Sequence, residues 1–175
     1  MSARRDDETA SASRDAKVES ACRDANAAST KIAARNIPLC LMAKAPRAGE
    51  VKTRMQPQLA PVQSAALALL MLRQTAATAR RHWPGEVTLC AWPDGDDPAL
   101  AAIADAHRLA VVRQADADLG ARMLQALRPG VARAGAAAVI GCDVPHCAGS
   151  VLAAAHASLA RGENPFGAAS DGGFY

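Results

Sequence analysis

From residue 37 onward, the apolar positions come in short unbroken runs separated by longer stretches in which they recur every three or four residues. The run Ile37-Pro-Leu-Cys-Leu-Met-Ala43 predicts a buried strand over 39–43. A helix follows over 61–81, opened by Pro61 and closed by Trp83-Pro84-Gly85. The pattern then gives a strand over 86–92 that ends at Pro93-Asp94-Gly95, a helix over 98–107 and a short strand over 109–113. A helix over 119–134 carries a break near Pro129-Gly130. Residues 136–141 are almost wholly apolar, as a central parallel strand is. A helix over 150–161 and a last strand over 165–170 complete the series. Such alternation predicts one α/β domain over 36–175, with a mostly parallel sheet and helices on both faces. Residues 1–35 are rich in Ala, Ser, Asp and Arg and poor in large apolar side chains, so they read as a flexible tail.

The first strand runs directly into Lys44-Ala-Pro-Arg-Ala-Gly-Glu-Val-Lys-Thr-Arg54. Lys44, Arg47, Lys52 and Arg54 place four cations in this loop, and Gly49 lets its backbone turn tightly. Strand, basic glycine-containing loop and helix is an arrangement by which α/β proteins hold phosphate groups at the carboxyl end of the sheet. The ordinary alternative is a solvated basic face. The loop lacks the first glycine and the Gly-Lys pair of a Walker A motif, and no GxGxxG is present. A phosphorylated or nucleotide-activated substrate is therefore expected, outside the standard ATPase and NAD sites.

A length of 175 residues, 50% hydrophobic and 21% charged, allows one domain with a real core. A net charge of +3 argues against nucleic acid, and two Trp, one Tyr and two Phe leave little with which to stack single strands. No apolar run reaches the roughly 18 residues of a membrane span, and the N-terminus has no signal-like apolar segment. Cys22, Cys40, Cys90, Cys142 and Cys147 form an odd set without disulfide spacing, so a reducing cytoplasm is the simplest expectation. Cys40 and Cys90 lie in strand-like runs as small hydrophobes, whereas Cys142 and Cys147 flank Asp143 and His146 as a weak soft-metal pattern.

Asp143, in Gly141-Cys-Asp-Val-Pro145, sits just past the predicted central strand, on the rim where open α/β sheets bind ligands. A carboxylate facing a phosphate loop is what a Mg²⁺ or Mn²⁺ bridge to a diphosphate requires; a turn or helix-cap aspartate is the plain alternative. In Ser170-Asp-Gly-Gly-Phe-Tyr175, Asp171 is a second ligand or substrate contact, or merely part of an Asp-Gly turn. In Gln114-Ala-Asp-Ala-Asp-Leu-Gly-Ala-Arg-Met123, Asp116 or Asp118 suits a helix cap, and Arg122 falls on the first turn.

The ordered set KAPxxGxVKTR, QxxxDLGxRM, an apolar strand ending GxDxP, and SDGGFY resembles the DUF2064 proteins, from about Ile37 to Tyr175. The resemblance implies a three-layer, Rossmann-like GT-A fold of the nucleotide-diphospho-sugar transferase kind, C-terminally short here because members continue past the DGG motif. Some members are described as arsenosugar-biosynthesis glycosyltransferases. The basic loop is more distantly similar to guanylyltransferases of the 2-phospholactate type and to molybdenum-cofactor nucleotidyltransferases. Carried over, the resemblance places Lys44, Lys52 and Arg54 on the nucleotide phosphates, with Arg47 and Gly49 in the same loop. It makes Asp143 the metal-binding carboxylate in place of a DxD motif, and sets Asp118, Gly120 and Arg122 along the nucleotide or acceptor pocket. Asp171, Gly172 and Gly173 would form the acceptor-side loop. His146-Cys147 and Ala117 stand where members commonly have an acidic residue with leucine and a glycine. The implied activity is metal-assisted transfer of a sugar from a nucleotide-sugar donor to a small acceptor. A nucleotidyltransferase releasing pyrophosphate and a non-catalytic nucleotide-binding remnant are the alternatives.

Overall fold

The computed structural model describes residues 36–168; the N-terminal tail and the motif at 170–175 lie outside the described residues. Strands β1 (Leu39–Lys44), β2 (Val87–Trp92), β3 (Ala110–Arg113) and β4 (Ala138–Gly141) alternate with helices α1 (Pro61–His82), α2 (Pro98–His107), α3 (Leu119–Ala134) and α4 (Gly149–Ala160). The strands form one sheet in the order β3-β2-β1-β4, and every pairing is parallel. Leu39, Leu41 and Met42 of β1 lie opposite Val87, Leu89 and Cys90 of β2 on one side, and opposite Ala138, Ile140 and Gly141 of β4 on the other.

Because strand side chains alternate between faces, β1 supplies two cores. Leu39, Leu41 and Ala43 join Leu89, Ala91 and Ile140 under Leu72 of α1, Leu100 and Ile103 of α2, and Leu152 of α4. Cys40 and Met42 point the other way and meet Cys90, Val139 and the α3 residues Met123 and Ala126. Three layers result, with α1 packed against both α2 and α4 on one side and α3 set against β1 and β4 on the other. Among the described residues no helix is long and apolar enough to cross a membrane.

Two expectations change. Helix α3 runs unbroken through Pro129. Gly130 lies so close to Pro38 and Ala137 that a Cβ would collide with both, and this packing holds the turn together where the proline withholds its N–H. The strand expected over 165–170 does not form over 165–167, where Pro165 and Gly167 are poor strand formers; Ala168 makes only an isolated bridge.

The α1–α4 contact carries a pH sensitivity. His156 is buried, stacks edge-on against Trp83 with ring centroids 5.0 Å apart, and leaves Nε2 without a hydrogen-bond partner. Burial pushes its pKa below the ordinary value. The unfolded chain therefore takes up a proton near pH 6.5 that the folded chain refuses. Stability is fully present above that pH and is lost as pH falls toward the folded pKa, with a slope of up to about 1.4 kcal/mol per unit. Thermal melts of His156→Phe across pH 5 to 8 are expected to lose that one-proton slope.

Candidate functional site

The chain leaves β1 toward β2 on one side and returns past it to β4 on the other, so the strand order reverses between β1 and β4. Open α/β sheets bind ligands outside the carboxyl ends at such a point. Here the exits of β1 and β4 meet directly, as Lys52 Nζ lies 2.8 Å from Asp143 Oδ2. The Asp143 side chain is about half exposed (53%), so it faces solvent rather than a core.

The basic loop folds on itself. Lys44 closes β1 and donates from Nζ to the Glu50 carbonyl at 2.8 Å. Gly49 has φ 84°, open to glycine without strain. Lys52 adopts the left-handed conformation, φ 50° and ψ 36°, just before a one-turn 3₁₀ helix over Thr53–Met55. A side chain other than Gly, Asn or Asp rarely takes this conformation, and the turn aims the ammonium at Asp143. Arg54 is exposed on the same short turn.

Asp143 is positioned from two sides. Thr75 of α1, itself buried, donates from Oγ1 to the Cys142 carbonyl at 3.2 Å and fixes the exit of β4. Gly141 lets the carboxylate lie back over the strand end: a Cβ there would stand 3.1 Å from Asp143 Oδ1.

Arg47 is held away from this pair. It donates to Asp94 Oδ2 at 3.0 Å and to Asp97 Oδ2 at 3.2 Å, and so ties the β1 loop to the loop after β2. Asp97 also caps α2 through Ala99 N–H. The spacing that counted Arg47 among the loop cations could not show these two carboxylates, which lie about fifty residues along the chain.

Asp118 caps α3, accepting from Ala121 N–H at 2.9 Å, as the plain reading of that motif expects. Gly120 sits beside it, where a Cβ would come within 3.3 Å of the capping oxygen. Arg122 donates to the Ala117 carbonyl at 2.6 Å and lays its guanidinium 3.6 Å from the Trp92 ring centre. Trp92 ends β2 and pairs in register with Lys44, so this stack lies on the same rim. Sequence reasoning overlooked Trp92, although an aromatic that closes a predicted strand just before Pro93 lies on the same rim as Asp143.

Gln114 connects the three adjoining strand ends. Its buried amide donates to the Cys90 carbonyl at 2.6 Å and to the Ala43 carbonyl at 3.2 Å. Gln114→Leu removes both donors and leaves two carbonyls short of partners, a loss of about 1–3 kcal/mol. Urea denaturation is expected to show a lower midpoint at unchanged slope.

For a divalent ion, Asp143 offers one hard oxygen donor, and among the described residues no group of three or more His, Cys, Asp and Glu could hold a metal. Cys142 and Cys147, considered above as a soft-metal pair, instead belong to the α1-side core. One exposed carboxylate fits Mg²⁺ or Mn²⁺ completed by diphosphate oxygens and water, not an all-protein cage. Asp171, Gly172 and Gly173 lie outside the described residues.

Residues 75–175 match a family described as an uncharacterized protein conserved in bacteria, DUF2064. That span includes Asp118, Arg122 and Asp143 and begins beyond the basic loop. No curated protein matches the chain. Among solved structures, a "putative nucleotide-diphospho-sugar transferase" from Desulfovibrio desulfuricans G20 aligns with a TM-score of 0.65 at 22% identity. The alignment covers 79% of this chain and 60% of that one. At this identity the likeness establishes the fold.

Proposed function

We propose, from the premise that the chain belongs to the DUF2064 family, that it is a glycosyltransferase acting on a nucleotide-diphosphate sugar with the help of a divalent ion. The observation that carries this reading is the Lys52–Asp143 contact across the strand-order reversal. A cation from the β1 loop and a carboxylate from the β4 exit thus meet at one exposed point on the rim. The fold, shared with the Desulfovibrio protein, supports the same reading.

In this proposal Lys44, Lys52 and Arg54 bind the non-bridging oxygens of the donor diphosphate. Asp143 holds Mg²⁺ or Mn²⁺, and when bound that ion adds Lewis-acid stabilisation of the diphosphate. As the bond from the sugar's anomeric carbon to the diphosphate oxygen breaks, the electron pair leaves with the nucleoside diphosphate. Lys52, released from Asp143, stabilises that developing charge. The acceptor oxygen forms the new bond to the anomeric carbon, and its proton goes to a base, a role we assign to Asp171. Arg122 and Trp92 border the rim on the β2 side, where the nucleoside would lie. Arg47 acts as a clamp between loops, not as a phosphate ligand.

Calorimetric titration of the full chain with UDP, GDP and their sugar conjugates, with and without Mn²⁺, tests the proposal. Metal-dependent binding of one nucleotide series supports it; binding of none would overturn it. Product analysis then separates a released nucleoside diphosphate from pyrophosphate, which would instead indicate nucleotidyl transfer.

A further inference from the structure

The α3-side core is small and rich in sulfur. Its buried members are Cys40, Met42 and Cys90, and Met123 and Ala126 of α3 pack against them with Val139. Cys40 and Met42 are two apart on β1 and so share a face, and Cys90 is the direct cross-strand partner of Met42. Neighbouring parallel strands lie about 4.8 Å apart, so these side chains converge on one spot. Met123 and Ala126, three apart on α3, cover it from above. The Cys40 thiol donates to the Ala126 carbonyl at 3.3 Å, so strand and helix are joined at this spot. Two thiols and two thioethers, from strands 50 residues apart in sequence and from a helix, thus meet in one cluster, its three strand members buried. None of the four has a part in the proposed transfer.

We propose that Cys40, Cys90, Met42 and Met123 form a buried binding site for a monovalent thiophilic cation of the Cu(I) kind. Thiolates and thioethers are soft donors that select Cu(I), whereas hard ions take oxygen. Charge selects the same ion: a net charge buried in an apolar layer is heavily penalised. One monovalent cation exchanged for one thiol proton leaves the cluster neutral, with a Cys40 thiolate and the Cys90 thiol, Met42 and Met123 as uncharged donors. Met123 directly follows Arg122, which stacks on Trp92 at the rim, so an ion here would fasten α3 immediately beneath that stack.

The test is an anaerobic competition for Cu(I) between the full chain and bicinchoninate, whose Cu(I) complex is coloured. The background protein carries Cys22→Ser, Cys142→Ser and Cys147→Ala, which removes the remaining thiols. It is expected to withdraw one equivalent of Cu(I) from the chelator. Cys40→Ala and Cys90→Ala are each expected to lose that equivalent, and Met42→Leu and Met123→Leu, close in volume, to hold it more weakly. Cu(I) left wholly on the chelator by both the background and the wild-type chain would overturn the proposal. So would a bound equivalent that survives removal of Cys40 and Cys90 together, or that is unchanged in both folded leucine variants.

Discussion

Asp143→Asn is expected to abolish the Mn²⁺ dependence of nucleoside-diphosphate binding, weakening binding in the presence of Mn²⁺ by roughly ten- to a hundredfold. The range follows from about 1.5–3 kcal/mol for an interaction with a charged group, at about 1.4 kcal/mol per tenfold. The substitution is nearly isosteric, so Gly141 still accommodates it, and Thr75 still holds the Cys142 carbonyl. What changes is charge. Asparagine is a poor ligand for a hard cation, and Lys52 loses its 2.8 Å partner. A freed Lys52 can still meet a phosphate, so weak, metal-independent and salt-sensitive binding should remain. Little stability should be lost, because an ion pair this exposed contributes below about 1 kcal/mol. Asp105→Asn, exposed on α2, is the matched control and should bind as the unaltered chain does. Equal losses from both substitutions, by calorimetry with and without Mn²⁺, would sink the placement of the site.

The α/β alternation was legible because each strand of the α1-side core is a compact apolar run and each helix has local boundary signals. Pro61, Pro98 and the Asp118 cap mark helix starts within a few residues, which is the range over which capping acts. Where tertiary packing decided the outcome, local signals failed. Pro129 is a breaker by its own chemistry, yet α3 passes through it because Gly130 fits against Pro38. Residues 165–167 are apolar enough for a strand by pattern alone, but Pro165 and Gly167 do not form one.

The candidate site divides in the same manner. The rim positions of Lys44 and Asp143 were readable because each lies within two residues of the end of a predicted strand, and parallel strands put all such positions on one edge. Their functional meaning was drawn from order and resemblance. Partner choice was not readable. Asp94 and Asp97 claim Arg47, and Asp143 meets Lys52, through contacts 47, 50 and 91 residues apart. Nothing in a basic loop shows which cation a distant carboxylate will take. Trp92 likewise became significant only once α3 placed Arg122 over its ring.

Lys52→Gly should separate binding from folding more sharply than any other single change in the loop. Alanine ordinarily holds a chain better than glycine, by about 0.4–1 kcal/mol through the entropy of the unfolded state. At Lys52 that order should reverse. With φ 50° and ψ 36°, any L side chain bears roughly 1–2 kcal/mol of strain that glycine escapes. Lys52→Gly should therefore melt at or above the temperature of Lys52→Ala, even though both lose the contact with Asp143. Diphosphate binding should fall in both, by roughly ten- to a hundredfold for one charge-assisted contact. If glycine melts well below alanine, the left-handed turn is not the loop's resting state, and the aim of Lys52 at Asp143 has no basis. If melting follows the predicted order but binding is undiminished, the turn is correctly described, and the phosphates lie with Lys44 and Arg54 instead. A strained lysine that costs the fold stability and serves no ligand would leave the strain without a function, and this paired comparison of melting and binding distinguishes that case from the one proposed.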